Sequence, residues 1–366
     1  MSRALSDTER CAWLRLARTE NVGPVTFREL VRRYGSAVEA IAALPELARR
    51  GGRSGVRIPS EAEIERELAA GEALGARLVA AGEPAFPAAL AATDPPPPVL
   101  WLRGNAEALA RPAVAVVGAR VASAAGQRFA RGLAAELGQA GLVVVSGLAR
   151  GIDAAAHEGA LPTGTVAVLA GGVDDVYPTE NRGLYARICE TGCVVSENEP
   201  GRAATARDFP RRNRIISGLA RAVVVVEAEM RSGSLITARL AAEQGREVLA
   251  VPGSPLDPRA KGANDLIRQG AAICEGADDV LRALEGLGAL REPEAAAFGG
   301  EPAQAGAEAD AALRERLAAL LSPTPVARDE LVRATGAAAP AVFAALVELA
   351  LAGRAELLPG GLASTG

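Results

Sequence analysis

The sequence predicts an α/β protein in which a doubly wound, mostly parallel sheet is flanked by a helical N-terminal domain and a winged-helix tail. Its 366 residues suffice for two or three domains at roughly 100–200 residues each. Short Val-rich apolar runs recur through the middle of the chain, and helical stretches follow most of them. Strands that are apolar on both faces and alternate with helices are typical of βαβ units whose sheet is covered on both sides.

Changes in the hydrophobic pattern divide the chain into four parts: a helical domain (residues 1–83), a sheet domain (84–289), a linker (290–310) and a tail (311–366). Apolar positions recur at helical spacing from Thr8 to Ala81, on both sides of the Gly23-Pro24 turn. The turn either presents backbone N–H groups to phosphates or only joins two helices, and the sequence leaves both interpretations open. The linker is predicted from its Ala, Gly, Glu and Pro content.

Six apolar runs predict the strands of the sheet: Val114–Val117, Leu142–Val145, Thr165–Leu169, Cys193–Val195, Ala222–Val226 and Glu247–Val251. Loops of small residues follow five of them, at 118–120, 146–153, 171–178, 227–234 and 252–254. The ligand of such a sheet lies beyond the carboxyl ends of its strands. Because helix N-termini bind phosphate, these loops predict a phosphate-binding edge. Glycines that only make tight turns are the alternative, and five loops on one edge favour binding.

The tail is predicted to be a winged helix. Leu313, Leu317, Leu320 and Leu321 form one helical stripe, and two further helices follow it. A short strand then meets Pro359-Gly360, which indicates a hairpin turn. Three helices followed by a hairpin are the winged-helix order, a variant of the helix-turn-helix.

Composition excludes several function classes. With one histidine, His157, a multi-histidine metal site cannot form, and the four scattered cysteines indicate neither a metal site nor a disulfide framework. The net charge of −4 disfavours a nucleic-acid binder that uses its whole surface, but allows a local basic patch. No apolar run is long enough to span a bilayer and no signal peptide is expected, so we expect a cytoplasmic protein.

Two nucleotide-binding signatures are missing. No GxxxxGK[ST] occurs and no GxGxxG follows the first strand, so neither ATP hydrolysis nor dinucleotide binding is expected, and no cofactor is predicted. Asp153 and His157 stand four residues apart on one face of a predicted helix. Because no nucleophile stands at a matching spacing, we expect this pair to orient the loop through hydrogen bonds and not to act in catalysis.

The densest cluster of cations begins at Phe209-Pro210. Residues 207–221 contain five arginines and one acid, Asp208, in a chain that is acidic overall. Arginine suits phosphate, Asn213 can hydrogen-bond a base edge, and Phe209 can stack on a base. A solvated helix start with paired arginines is the alternative; the aromatic and the neighbouring glycine loops favour nucleic-acid binding.

Taken together, these motifs resemble the DNA-processing protein A family, DprA or Smf, over nearly the whole chain. The matching pieces stand in order: Gly118-Ala119-Arg120; Ser146 to Asp153 with His157; Gly171 to Pro178 with Asn181; Ser196-Glu197; Phe209 to Gly218; Ser232 to Ala238; Pro252-Gly253; and Gly262 with Asn264, Leu266 and Ile267. Ala119 departs from the family's usual Ser or Thr and removes one hydroxyl that could donate to a phosphate.

The resemblance implies an extended Rossmann-like sheet domain, an N-terminal domain like a SAM or helix-hairpin-helix unit, and a non-enzymatic bacterial protein. It implies protection of single-stranded DNA, its transfer to the RecA recombinase in natural transformation, and a homodimer. The family's pocket maps onto Arg120, Phe209, Arg211, Asn213 and Arg214, and the charge argument adds Arg212. With the glycine-loop residues, the predicted site is Gly118, Arg120, Ser146, Gly147, Arg150, Phe209, Arg211, Arg212, Asn213, Arg214, Ser232, Gly233 and Ser234.

Two alternative functions come from other classes. Nucleoside-monophosphate phosphoribohydrolases share a related fold but carry PGGxGTxxE, whereas Pro252-Gly253 is followed here by Ser254-Pro255. A transcription regulator would act through the tail, whose few arginines are offset by nearby acids. Single-stranded DNA binding is therefore the first expectation.

Overall fold

The computed structural model describes residues 4–287 and 310–366, so the predicted linker lies outside the described residues except for Asp310. Four helices form the N-terminal domain: α1 (Asp7–Ala17), α2 (Pro24–Tyr34), α3 (Ala37–Arg50) and α4 (Glu61–Ala73). Local sequence sets where they begin. Ser6 and Glu9 form a capping box on α1, and Pro24 occupies the first turn of α2, where its missing N–H costs nothing.

The N-terminal domain is packed directly against the segment that leads into the sheet. The rings of Trp13 and Phe27 lie 5.0 Å apart between their centroids. The indole Nε1 of Trp13 donates a hydrogen bond of 2.7 Å to the carbonyl of Pro98, across 85 positions of sequence. Pro98, the last of the four prolines that lead into the sheet, therefore ties this segment to the helical domain.

Nine strands form one sheet: β1 (Ala76–Ala80), β2 (Val99–Gly104), β3 (Ala113–Val117), β4 (Val143–Ser146), β5 (Thr165–Val168), β6 (Cys193–Ser196), β7 (Ala222–Val225), β8 (Glu247–Ala250) and β9 (Ala272–Ile273). Their order is β1-β2-β6-β5-β4-β3-β7-β8-β9; β2 pairs antiparallel with both β1 and β6, and all other neighbours pair parallel. The predicted doubly wound, mostly parallel sheet is confirmed. The chain reverses its winding direction at β3, which lies between β4 and β7.

The prediction of helix through Ala81 is wrong at its end, because β1 is a strand. Gly75, with a φ of +67°, follows α4, and the chain then enters the sheet. Ala, Arg and Leu in β1 are good helix formers, but all five residues pair with β2, and this tertiary pairing overrides local propensity. Strands β2 and β9 were not predicted either, whereas each of the six predicted apolar runs overlaps a strand.

Helices cover both faces of the sheet: α5 (Ala88–Ala91), α6 (Ala124–Gln139), α7 (Ile152–Ala160), α8 (Arg182–Thr191), α9 (Asp208–Leu219), α10 (Gly233–Glu243), α11 (Lys261–Arg268) and α12 (Ala277–Leu287). The side chains of β3 alternate between two cores. Val114 and Val116 pack with α6, α7 and α12, while Ala115 and Val117 pack with α9, α10 and the N-terminal helices. The strand is therefore buried on both faces, as its continuous apolar sequence predicts.

The tail is a winged helix, as predicted. It contains α13 (Ala311–Leu320), β10 (Val326–Ala327), α14 (Arg328–Thr335), α15 (Ala339–Leu351), β11 (Glu356–Leu358) and β12 (Leu362–Ser364), with strand order β10-β12-β11. Of the predicted leucine stripe, Leu313, Leu317 and Leu321 are buried, whereas Leu320, the last residue of α13, is 42% exposed. No single helix in the described ranges is long and apolar enough to cross a membrane. Taken together, α14 and α15 have the length and apolar composition of a span, but the pair is bent by 113°.

The tail docks on the N-terminal domain through α15. Val347 and Leu351 of this helix join the apolar core that contains α1 to α3. The amide of Asn21, beside the Gly23-Pro24 turn, donates to the Leu351 carbonyl at 3.3 Å, and Arg354 donates to the Gly51 carbonyl at 3.4 Å. This face of the winged helix is therefore engaged in a contact within the chain.

Candidate nucleic-acid interface

A cavity of about 940 Å³ lies at the carboxyl ends of the strands, where the sheet changes winding direction. Loops after β3, β4, β5 and β7 line it, and the segment between β6 and α9 completes the wall. The fifth predicted loop, after β8, does not line it; there Gly253 exchanges two hydrogen bonds with the amide side chain of Asn264. The position agrees with the rule that ligands bind at the switch point of such sheets.

The cavity brings together eight of the predicted site residues, which come from three separate parts of the chain: Gly118, Arg120, Phe209, Arg212, Asn213, Ser232, Gly233 and Ser234. The close approach of neighbouring elements requires glycine at position 118. A Cβ there would lie 2.7 Å from the Ile152 side chain and 3.0 Å from the Glu227 carbonyl. The glycine thus lets β3, α7 and the loop after β7 meet at the cavity.

Arg120, Phe209 and Tyr177 form a stack at the cavity wall. The guanidinium carbon of Arg120 lies 5.2 Å from the centroid of the Phe209 ring, within the range of a cation–π contact. Tyr177 meets the same ring edge to face, with centroids 5.7 Å apart and an interplanar angle of 62°. Arg120 is exposed and has no carboxylate partner within the described ranges, so its charge is available to an anionic ligand.

The N-terminus of α10 supplies a second anion-favouring element. Ser232 is its N-cap, and the hydroxyls of Ser232 and Ser234 lie 2.7 Å apart. The amide of Asn213 donates to the Gly233 carbonyl at 3.2 Å, which ties α9 to this helix start. The positive end of the α10 dipole and the Arg120 charge therefore border one cavity, and both favour a negative group.

Arg212 lies in the cavity floor and acts as a support. Its Nη1 donates to the carbonyls of Gly147, at 2.8 Å, and Val168. A Cβ at Gly147 would lie 2.4 Å from that nitrogen, so this position also needs glycine. Burial lowers the pKa of the Arg212 guanidinium to about 10, and the carboxylate of Asp153 opposes the shift. The predicted phosphate contact is thus replaced, in this geometry, by hydrogen bonds to backbone carbonyls.

Asp153 orients the loop after β4, as the sequence suggested. Its Oδ2 accepts hydrogen bonds from the backbone N–H groups of Gly147, at 3.1 Å, and Ala149, at 3.4 Å. Burial raises the pKa of Asp153, and the nearby Arg212 charge counteracts this. His157, one helical turn further, is fully buried with Nδ1 2.8 Å from the Thr165 hydroxyl, and burial lowers its pKa to about 3. Both groups belong to the scaffold beneath the cavity.

Five predicted residues do not line the cavity. Ser146 is buried in the sheet and donates to the Val116 carbonyl at 2.7 Å, and Gly147 lies beneath Arg212. Of the three arginines, Arg150 is exposed and forms a 2.6 Å ion pair with a glutamate, Arg214 is mostly buried and pairs with Glu197, and Arg211 is 72% exposed. Arg211 is therefore the one of the three whose guanidinium is open to solvent without a close ion pair.

Glu227 occupies the position where Rossmann-type proteins commonly bind a pyrophosphate. Its carboxylate accepts from the Ser123 N–H at 2.9 Å and from the Ser123 hydroxyl at 2.5 Å, at the N-terminus of α6, the helix that follows the first parallel strand. A Cβ at Gly126 would lie 2.6 Å from the same carboxylate. An internal anion thus already satisfies this helix start, in agreement with the missing dinucleotide signature.

Several lining residues were absent from the predicted set, notably Tyr177, Arg231, Thr237, Asp175 and Glu229. Two of them left a signal in the sequence. Tyr177 follows the glycine loop after β5, and Arg231 directly precedes the Ser232 motif. Within the described residues, no group of three or more potential ligands could hold a metal ion.

The chain therefore has the architecture of a three-module α/β protein: a helix-hairpin-helix domain, a Rossmann-like sheet with a cavity at its switch point, and a winged helix. Family models match each module: "DNA recombination-mediator protein A" over residues 77–285, "DprA-like N-terminal HHH domain" over 7–70 and "DprA winged helix domain" over 301–361. The chain belongs to the DNA recombination-mediator protein A family, known as DprA or Smf.

Relatives and solved structures agree with this assignment. Protein Smf of Escherichia coli is 40% identical over 305 residues, covering 81% of this chain and 80% of the relative. The X-ray structure of DNA processing protein A from Streptococcus pneumoniae superposes with a TM-score of 0.65 and 34% identity, over 76% of this chain and 98% of that one. A structure that describes the single-stranded DNA binding mode of DNA processing protein A from Helicobacter pylori superposes with a TM-score of 0.53 and 29% sequence identity. The match covers 58% of this chain and 96% of that one.

Proposed function

We propose that this chain binds single-stranded DNA in the switch-point cavity, protects it, and loads the RecA recombinase onto it during natural transformation. The observation that carries the proposal is the meeting of Arg120, an aromatic pair and the N-terminus of α10 around one cavity. A cation and a helix dipole suit phosphate, and aromatic rings suit bases. This combination fits a strand with exposed bases better than a duplex, whose bases are stacked inside.

Binding without catalysis fits the chemistry of the described residues. The two candidate acid–base groups, Asp153 and His157, are buried and engaged by the loop and by Thr165. Burial lowers the pKa of His157 to about 3, so at neutral pH it is an uncharged imidazole that is a weak base and is not present as the imidazolium acid. The hydroxyls of Ser232 and Ser234 at the cavity hydrogen-bond to each other at 2.7 Å, and neither is bonded to Asp153 or His157 in the described residues.

Transfer to RecA and homodimer formation are proposed from family membership. The sheet offers a free edge for a second copy, since β9 ends it and both of its residues, Ala272 and Ile273, are exposed. Exposed strand edges are templates for pairing with another chain. Sedimentation should give twice the mass of the chain, and the protein should accelerate RecA assembly on a single strand.

The binding proposal is tested by comparing poly-dT, duplex DNA of equal length and single nucleotides at two salt concentrations. We expect clear preference for poly-dT, no requirement for ATP, and weaker binding at high salt as counterions are released. The same samples are assayed for free base and for phosphate. Release of base from nucleoside monophosphates would favour the phosphoribohydrolase alternative, and equal binding of duplex would contradict the proposed role of the cavity.

A further inference from the structure

The loop after β4 contains a strained residue that borders the cavity. Leu148 has a φ of +54°, in the left-handed region, and its side chain is fully buried. A leucine incurs a steric cost in this conformation, so neighbouring groups must hold it there, and such outliers cluster at functional sites. Ala149, the next residue, lines the cavity. The contacts that hold Leu148 therefore also shape the wall of the binding site.

The peptide between Leu148 and Ala149 is held at both ends by side-chain hydrogen bonds. Its N–H donates to Oδ2 of Asp153 at 3.4 Å, and its carbonyl accepts from Nδ2 of Asn181 at 2.9 Å. The same Nδ2 lies 3.3 Å from the Ala149 carbonyl oxygen. Asn181 stands directly before α8, but its side chain caps no N–H of that helix in the described structure. Its amide is thus committed to the loop after β4.

The same loop packs against the backbone that carries Arg120. Gly151 has a φ of +73°, and a Cβ there would lie 2.3 Å from the Ala119 carbonyl oxygen and 2.8 Å from that of Arg120. The N–H of Ile152 donates to the Ala119 carbonyl at 3.2 Å. Because the two loops are in direct backbone contact, a displacement of the loop after β4 moves the backbone of Arg120.

From these contacts we infer that Asn181 is a positioning residue for single-strand binding, which holds the strained loop after β4 and, through Gly151, the backbone of Arg120. The inference rests on the proposed function, in which Arg120 contacts phosphate. Asn181 itself does not line the cavity, so its effect reaches the ligand only through the loop. Its contribution is preorganisation, because an arginine that is already held in place loses less conformational freedom when the strand binds.

The test is a double-mutant comparison of affinity for a dT oligonucleotide across a salt series. Asn181→Ala should weaken binding roughly 2- to 10-fold, the effect of one lost hydrogen bond, and flatten the salt slope toward that of Arg120→Ala. In the Arg120→Ala background the same change should weaken binding by less than about twofold, because the group that Asn181 positions is gone. Asn181→Ser, which keeps a shorter donor, should lose less affinity, and it replaces Asn181→Ala if that variant shows no unfolding transition in urea.

Asn264→Ala is the matched control. Asn264 also donates its amide to a loop carbonyl, that of Gly253 at 2.8 Å, but on the loop after β8, which does not line the cavity. This variant should change neither affinity nor slope. The inference is overturned if Asn181→Ala binds dT with the wild-type affinity and slope, or if it loses equally with and without Arg120, since the effect then does not pass through that arginine. If the wild type binds no dT, the proposed function fails instead.

Discussion

Two regions of this molecule have architectures that bind nucleic acid in other proteins, the carboxyl edge of the sheet and the winged-helix tail, and their arginines are used differently. Arg120 and Arg231 border the cavity without a carboxylate partner in the described ranges. In the tail, four of the five arginines are engaged: Arg314 with Glu348, Arg316 with the Thr335 carbonyl, Arg328 over the Phe343 ring and Arg354 with Glu315.

The tail helix that would enter a DNA groove also lacks the basic, accessible surface of a recognition helix. In a helix-turn-helix the second helix is the recognition helix, which corresponds here to α15. Its sequence, APAVFAALVELAL, contains no basic residue, and Val347 and Leu351 are packed into the N-terminal core. The two regions thus share architectures that suit DNA but differ in the unpaired arginines and exposed aromatic rings that a strand would contact.

The largest expected effect is on stability, and it distinguishes a structural role of Arg212 from direct contact with DNA. Arg212→Met should lower the free energy of unfolding by about 3–5 kcal/mol, because Asp153 and two backbone carbonyls lose a buried partner. Urea unfolding measures this loss. A variant that keeps wild-type stability but no longer binds single strands would instead make Arg212 a DNA contact, as first predicted from the arginine cluster.

A pH dependence of intermediate size is expected from His157, the only histidine of the chain, which lies beneath the cavity. The pKa of His157 is about 3 when folded and 6.5 by ordinary value, so below pH 6.5 the unfolded chain takes up a proton that the native protein does not. Stability then falls on acidification, by about 1.4 kcal/mol per pH unit. Comparing His157→Gln with the wild type between pH 7.5 and 5.5 isolates this slope; parallel curves would show that His157 is not held neutral.

The smallest effect concerns the tail. A Cβ at Gly51 would lie 2.0 Å from the Glu348 carbonyl oxygen, while the φ of −69° suits any residue, so Gly51→Ala should displace α15 without straining its own helix end. Gly55→Ala, with nothing within 4 Å, is the matched control.

We expect X-ray scattering to show a larger particle for Gly51→Ala, with affinity for single strands within about twofold of the wild type. One ion pair joins the tail to the sheet domain near the cavity, Arg211 with Glu356 at 3.9 Å; it is exposed on both partners, and such pairs contribute little. A large loss of affinity on displacement would assign part of the DNA site to the tail.

The sequence predicted the parts of this molecule that repeat a local rule. The six apolar runs overlap β3 to β8 because strands buried on both faces need continuous apolar residues. The edge of the sheet that carries the cavity was predicted from the glycine-containing loops that follow the strands. Strand β1 was missed because Ala76 to Ala80 favour helix and are held in the sheet only by pairing with β2.

Which arginine of the cluster faces the ligand could not be predicted, since that depends on how α9 is rotated against the sheet. In the structure Arg212 points inward to the Gly147 carbonyl, Arg214 pairs with Glu197, and Arg211 is exposed. A run of like residues on a helix spreads over several faces. The arginine-rich composition therefore predicted which segment lies near the ligand, and the packing of α9 determines the role of each arginine.

Binding of DNA at the cavity is tested most directly by comparing Arg120→Ala with Arg333→Ala; Arg333 is an exposed arginine of the tail that has no partner in the described ranges. Affinity for dT oligonucleotides is measured across a salt series. Arg120→Ala should weaken binding roughly 10- to 100-fold, as expected for a lost charged hydrogen bond. Its log–log salt slope should flatten by about 0.7 for one lost phosphate contact. Arg333→Ala should leave both unchanged. A folded Arg120→Ala with wild-type affinity and slope, together with a loss in Arg333→Ala, would place the DNA on the tail and contradict the account.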